Sequence, residues 1–355
     1  MNRATRKSTV VETLPKAELH LHLEGSIRPE TAIELAARHG TVLTIEEVTV
    51  RYRYSDFMGF IEAFKWVTSF VRDPEDYGLI TRRLAEELIR QNVVYAEITI
   101  SAGVMLRRMQ NVEANFAAIV QASVDASAEA SQGLPLGRLR TAWIFDATRQ
   151  FGADAAMEAA RWAAKLRGNG VVAFGMGGDE LALPAQDFRP TFDFARSEGL
   201  RVICHAGEIG GPDEVRDAVE ILGAERIGHG IAVIRDKALA ESLAARGVVL
   251  EVCPTSNLAT GALATQTDKP GATMAEHPLA KFQKMGLRVA LSTDDPAMFH
   301  TDLLSEYSHA AAMGLSNAEL LQLAEQSFTA AFLAPGEKRQ LVEDFRATAK
   351  SAVLL

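Results

Sequence analysis

The sequence predicts an α/β fold, a (β/α)8 TIM barrel with extra helices between the first and second strands capping the C-terminal mouth. Three observations carry that expectation. Eight short apolar runs recur along the 355 residues, helical segments separate most of them, and the residues best suited to chemistry sit at the C-terminal ends of the runs. Near-continuous apolar strands belong to a parallel sheet covered on both faces, and eight is the number that closes a barrel. Barrel enzymes build their sites at that same end, whereas an open doubly wound sheet gathers its site at a switch point.

Taken in order, residues 1–12 carry Arg3, Arg6 and Lys7 with no apolar stretch behind them. A disordered or frayed tail is expected there in place of a secretory leader, with residues 13–355 forming one barrel domain. The first strand runs through Leu19-His20-Leu21-His22. The stretch 24–80 is long for a crossover and is read as the cap over the mouth. Phe57, Phe60 and Phe64 recur there at helical spacing, with Trp66 and Phe70 nearby, either as core packing or as a hydrophobic lid. Ile80, Leu84 and Leu88 line one helix face ahead of the second strand, Asn92 to Ile98, and Trp143 to Phe145 and Val171 to Phe174 supply two more.

The second half has a rhythm in which each helix ends in glycine and a strand follows. Gly199 precedes Leu200 to Cys204, Gly223 precedes Arg226-Ile227, Gly247 precedes Val248 to Val252, and Gly286 precedes Leu287 to Leu291. Glycine suits the left-handed position that closes a helix.

Composition limits the function classes. Apolar content of 48% and charged content of 23% are those of an ordinary globular chain. The formal net charge of -9 argues against a nucleic-acid groove, which needs clustered Lys and Arg. Cys204 and Cys253 form neither a disulfide framework nor a Cys-x-x-Cys knuckle, which fits a reducing, cytoplasmic setting. No apolar run approaches the ~20 residues that span a bilayer.

His20 and His22, at i and i+2 on a strand, share a face and can grip one metal ion. Taken alone, such a pair also fits one buried, hydrogen-bonded histidine and a bystander. Cys204-His205-Ala206-Gly207-Glu208, Ile227-Gly228-His229-Gly230 and Ser292-Thr293-Asp294-Asp295-Pro296 then place more such residues at later strand ends. His20, His22, His205 and Asp294 make an all-nitrogen-and-oxygen set that suits Zn2+ and admits Fe2+ or Mn2+. A metal there lowers the pKa of water from ~15.7 to about 7, a difference worth roughly 12 kcal/mol.

Glu208 can face that cavity without being a ligand; an exposed loop carboxylate is the alternative. His229 can orient or deprotonate the attacking water, or be a buried structural histidine. Asp295 is a substrate contact or a helix cap, and Gly175 to Glu180 is a glycine turn that either admits a planar ligand or binds nothing. His39, His277, His300 and His309 lack comparable settings and are read as structural.

Together these residues resemble the adenosine deaminase family of the metal-dependent amidohydrolase superfamily. The match runs from Pro15-Lys16-Ala17-Glu18-Leu19-His20-Leu21-His22 through Gly177-Gly178-Asp179-Glu180, His205-Ala206-Gly207-Glu208, Gly228-His229-Gly230 and Cys253-Pro254-Thr255-Ser256-Asn257 to Ser292-Thr293-Asp294-Asp295-Pro296. The resemblance implies one zinc on His20, His22, His205 and Asp294, with Glu208 protonating purine N1 and His229 acting on the water. It further implies that Asp295 bonds N7, that the Gly178 N–H meets N3, and that a 6-aminopurine becomes a 6-oxopurine with loss of ammonia. No nucleic-acid or membrane partner is implied, and oligomeric state is not addressed.

Departures from the family pattern concern the substrate. Typical adenosine deaminases carry Asp where this chain has Glu24, a position at the ribose end of the ligand. The family's adenine deaminases share the Glu but tend to carry Asp-Pro-Gln after the second strand, where this chain reads Ile100-Ser101-Ala102-Gly103. The His-Leu-Glu-Gly-Ser start and the Ser-Ala-Gly turn are most similar to the branch acting on 6-aminodeoxyfutalosine in menaquinone biosynthesis. Adenosine, free adenine and N6-modified purines stay open as substrates. A binuclear amidohydrolase would want a lysine at the end of the fourth strand, and Phe174-Gly175-Met176 offers none. Cytidine-type zinc deaminases are excluded by the missing His-x-Glu and Pro-Cys-x-x-Cys signatures.

Overall fold

The computed structural model describes residues 10–130 and 139–353. All eight predicted strands are present: β1 Lys16–His22, β2 Val93–Ile100, β3 Arg140–Thr148, β4 Val171–Gly177, β5 Arg201–Ala206, β6 Arg226–His229, β7 Val249–Val252 and β8 Arg288–Leu291. Each pairs in parallel with the next in chain order, as a (β/α)8 barrel requires. The seam between β8 and β1 is closed just beyond the end of β8. There the His22 N–H donates to the Asp294 carbonyl at 2.8 Å and the Asp294 N–H to the His20 carbonyl at 3.0 Å. The barrel therefore closes on three of the residues expected to hold the metal.

Glycine stops the helices where the sequence rhythm requires. Gly199, Gly223, Gly247 and Gly286 have φ of 80°, 69°, 69° and 78°, the left-handed region in which a side chain is strained. One of these helices is short. The helix ahead of Gly286 spans only Leu279–Lys284, and the His277 side chain accepts the Leu279 N–H at its start.

The long first crossover holds three helices, Pro29–Arg38, Ile45–Arg51 and Phe57–Thr68, before Pro74–Arg90 leads into β2. Their starts are written in the sequence: Thr44 and Glu47 form a reciprocal capping box, and the Asp56 side chain accepts the Gly59 N–H. Phe57, Phe60 and Phe64 lie over the mouth. Inside the barrel, Ile144, Ala173 and Ile203 pack with Phe332, a residue of the chain after β8.

Of the tail expected at residues 1–12, residues 1–9 lie outside the described residues. Residues 10–12 form a turn on which Lys16 Nζ donates to the carbonyls of Val11, Glu12 and Leu14. No helix among the described residues is long and apolar enough to cross a membrane. Cys204 and Cys253 are buried free thiols.

Candidate active site

The C-terminal ends of β1, β5 and β6 and the segment after β8 bring the predicted donors to one point. His20 and His22 project from the same face of β1, as their spacing dictates. The His20 Nδ1–H donates to Glu251 Oε2 of β7 at 2.7 Å, which leaves the Nε2 lone pair free. That atom lies 3.3 Å from Asp294 Oδ1 and is buried with no hydrogen-bond partner among the described residues. His205 Nδ1 donates to the Met176 carbonyl at 3.2 Å, so its Nε2 also faces the cluster unprotonated. His22 Nε2 stands 3.2 Å from that nitrogen and 3.3 Å from Asp294 Oδ1. Ser256 Oγ–H donates to the other Asp294 oxygen at 2.7 Å and so aims Oδ1 inward.

Electrostatics point the same way. Burial opposes protonation of His20 and His22, yet Asp294 and Glu251 beside the first, and Asp295 and Asp294 beside the second, lift them to about 10 and about 9. Asp294 sits well below the usual carboxylate range despite its burial, because the His20 and His22 rings lie against its oxygens and His229 is close by. Such a cluster wants positive charge. Converging ring nitrogens, one carboxylate oxygen and an orphaned buried Nε2 fit a divalent cation such as zinc.

Donor spacing alone groups His229, and not His22, with His20, His205 and Asp294, and sets His22 with Asp294 and Asp295. The His229 tautomer decides otherwise. The Leu279 N–H can only donate, so His277 Nδ1 accepts it at 3.2 Å and His277 Nε2–H points to Asn257 Oδ1 at 3.3 Å. The Asn257 amide then donates to His229 Nδ1 at 3.0 Å, which puts the His229 proton on Nε2. That N–H faces Glu208 Oε2 at 3.4 Å and Asp294 Oδ2 at 3.8 Å, as a donor and not a ligand. Burial holds His229 down to about 4 and His277 to about 3, so both stay neutral at physiological pH.

Glu208 follows β5 in a turn whose N–H groups at Gly207, Glu208 and Gly210 donate to the buried Glu180 carboxylate at 2.8, 2.9 and 3.1 Å. Thr260 Oγ1–H donates to Glu208 Oε1 at 3.1 Å. Burial, with Asp294 and Glu180 close by, pushes the Glu208 carboxyl well above its usual range. His229 and Asp294 hold left-handed φ angles of 62° and 68°, strain of the kind that functional residues carry.

The cluster opens into a cavity of about 150 Å³. Glu208, His229, Gly178 and Asp295 reach it from the barrel, and Phe57, Phe60 and Phe64 reach it from the crossover helix. Trp66 and Phe70 instead pack on each other, edge to face at 5.4 Å. Asp295 Oδ1 is buried without a hydrogen-bond partner among the described residues, and it explains Gly25: a Cβ there would sit 1.7 Å from it. Gly178, at φ 92°, lies under Gln150 with room for no side chain. Glu24 stands behind the cavity wall, where one oxygen accepts the Ser101 N–H at 3.1 Å and Oε2 is buried without a partner. Sequence reasoning missed Glu251, Asn257 and His277 as supports of the histidines. Asn257 stood in a quoted motif, but nothing local marked the other two.

A family model described as adenosine deaminase matches residues 15–348. The aminodeoxyfutalosine deaminase of Streptomyces avermitilis is 42% identical, over 93% of this chain and 90% of that protein. The adenine deaminase of Agrobacterium fabrum is 34% identical, over 93% of this chain and 97% of its own. The crystal structure of adenine deaminase from Arthrobacter aurescens superposes with a TM-score of 0.83 at 28% identity, covering 95% of this chain and 99% of that one. The matched stretch begins one residue before β1 and ends inside the last helix, so the whole barrel and every donor in its mouth fall within it, and the chain belongs to the adenosine deaminase family.

Proposed function

We propose that the protein is a zinc-dependent deaminase of a 6-aminopurine nucleoside, with 6-aminodeoxyfutalosine as its preferred substrate. As a member of its family it is a hydrolase of cyclic amidine C–N bonds. The observation that carries the proposal is the sharing of one cavity by the donor cluster, Glu208, Gly178 and Asp295. Zinc bound by His20, His22, His205 and Asp294 would supply Lewis-acid activation of water at neutral pH; Fe2+ and Mn2+ accept the same donors.

The remaining chemistry belongs to side chains. Glu208 starts protonated and gives its proton to purine N1, which draws electrons from C6 and opens it to attack. The His229 Nε2–H donates to the attacking oxygen and fixes its direction, so orientation is its role and proton abstraction is not. N7 carries a lone pair, so Asp295 meets it as the acid form, while the Gly178 N–H donates to N3. Water adds its oxygen at C6 and returns one proton to the Glu208 carboxylate, the remaining hydroxyl proton passes to the amino group, which leaves as ammonia, and a 6-oxopurine nucleoside protonated at N1 remains.

The substrate preference is supported by the 42% identity to an aminodeoxyfutalosine deaminase against 34% to an adenine deaminase. Phe57, Phe60 and Phe64 give the open side of the cavity an aromatic face that an aryl-extended ribose can stack on. A panel of aminodeoxyfutalosine, adenosine, deoxyadenosine and adenine, followed by purine absorbance and ammonia release, tests it. Aminodeoxyfutalosine is expected to have a kcat/KM at least tenfold above the others. A lead for adenosine or adenine moves the substrate, and no ammonia from any of the four sinks the deamination reading.

A further inference from the structure

At the opposite end of the barrel, below β5 to β8, lies a second cavity of about 330 Å³. Arg201, Arg226, Arg246, Arg288 and Lys338 line it, with Glu225 as the acid in its wall. Three of these cations are first residues of strands β5, β6 and β8; Arg246 ends the helix before β7, and Lys338 lies in the first turn of the last helix.

Two of the five are neutralised. Arg201 is ion-paired with Glu225, and Arg226 with Glu97 and Glu251 at 2.5 and 2.6 Å. The other three have no carboxylate partner among the described residues. Arg288 donates to the Gly247 carbonyl at 3.4 Å and to Thr329 Oγ1 at 3.0 Å, and Lys338 donates to the Thr329 carbonyl at 3.2 Å. Arg246 is exposed at the rim. Partial burial lowers the Lys338 pKa, and Arg201, Arg226 and Arg288 nearby lower it against the opposing pull of Glu97.

In a chain of net charge -9, a cavity with three unmatched cations is not part of the general surface balance. A compact anion bearing two charges would remove the repulsion among them. Guanidinium forks and an ammonium match tetrahedral oxyanions, in contrast to the flat, neutral purine expected at the mouth. We propose that this cavity binds a phosphate group, free or as the head of a phosphorylated metabolite, independently of deamination. It lies at the barrel end that serves stability more than catalysis, so occupancy stabilises the fold by linkage.

Isothermal titration of the full chain with inorganic phosphate, against chloride at matched ionic strength, tests this. One phosphate per chain is expected, with affinity falling at least tenfold in the double variant Arg246→Gln/Lys338→Gln. Both positions lie on helix ends, and near-UV circular dichroism with unchanged deaminase kcat/KM will show that the variant is folded. No binding beyond the chloride control, or equal affinity in the double variant, overturns the proposal; the latter puts phosphate at the metal end. Ribose 5-phosphate separates the sources: tighter binding than phosphate by tenfold indicates a metabolite head group, and equal binding indicates the free anion.

Discussion

The start of β6, at the end of the barrel away from the mouth, and the mouth itself both bury charge, and they treat it in opposite ways. Where β6 begins, Arg226 is 1% exposed, yet its guanidinium meets Glu97, Glu251 and the Ala330 carbonyl, while Glu97 also accepts from Tyr95 and the Phe332 N–H. Each charge there has an opposite charge against it, Arg226 Nε and Glu251 Oε1 meeting as an ion pair without hydrogen-bond geometry. At the mouth, His20 Nε2, Asp295 Oδ1, Asp146 Oδ1 and Glu24 Oε2 are equally buried and have no hydrogen-bond partner among the described residues. A buried polar atom without a partner costs about 1–3 kcal/mol, so four charged or ionisable groups left this way at the mouth are a cost that a ligand would offset. Matched charge holds the fold, and unmatched charge marks the place of the ligand.

Glu208→Gln is the sharpest way to break that contrast. An amide of the same shape cannot deliver a proton to N1, so kcat is expected to fall by about 10³-fold, within the range a general acid supplies. Zinc content, measured by atomic absorption, should stay near one per chain, and thermal stability should be unchanged or higher. Retained turnover would remove Glu208 from the chemistry. Arg226→Met is the counterpart in the matched layer. It strands Glu97 and Glu251 without their cation, and breaking such a buried pair costs about 3–5 kcal/mol. Urea unfolding should show that loss, and a variant as stable as the parent would mean that the layer is not structural.

The same contrast explains what was legible in the sequence. Strands and helix ends are local: β-branched runs and the glycines at 199, 223, 247 and 286 are visible in short windows, and all were found in place. Three of the four unmatched groups were legible too, because His20, Glu24 and Asp295 stand at or just past strand ends in motifs such as His-x-His and Asp-Asp-Pro; Asp146, inside β3, carried no such mark. The matched partners were not. Glu251 and Arg226 read as ordinary strand residues, and the pairing of His20 with Glu251 joins positions 231 apart in the chain. His277 was read as structural because its link to His229 passes through Asn257, a contact that only the fold creates.

That relay tests whether a matched group can still matter to chemistry. His277→Leu removes the N–H that fixes the Asn257 amide, so Asn257 is free to turn its carbonyl to His229 and move the ring proton to Nδ1. The His229 donor at the mouth is then lost in part of the population. One hydrogen bond is worth about 1.4 kcal/mol, so kcat should drop roughly tenfold with little change in KM. Nitrogen-15 NMR of histidine-labelled protein should show the His229 proton leaving Nε2. A shifted tautomer with full activity would free His229 of any orienting role.

Glu24 lies on the border between the two regimes, with one oxygen matched by the Ser101 N–H and the other unmatched. Its effect should accordingly be the smallest. Glu24→Asp shortens the side chain by one methylene and can keep the Ser101 bond only by withdrawing the free oxygen from the cavity wall. If that oxygen completes its bonding on the sugar side of the ligand, the ratio of kcat/KM for aminodeoxyfutalosine to that for adenosine should fall by about threefold, the worth of part of a hydrogen bond. Turnover of free adenine, which has no sugar, should not move. Equal changes for all three substrates would mean that Glu24 only positions the Ser101 turn, and its unmatched oxygen would then count with the matched layer.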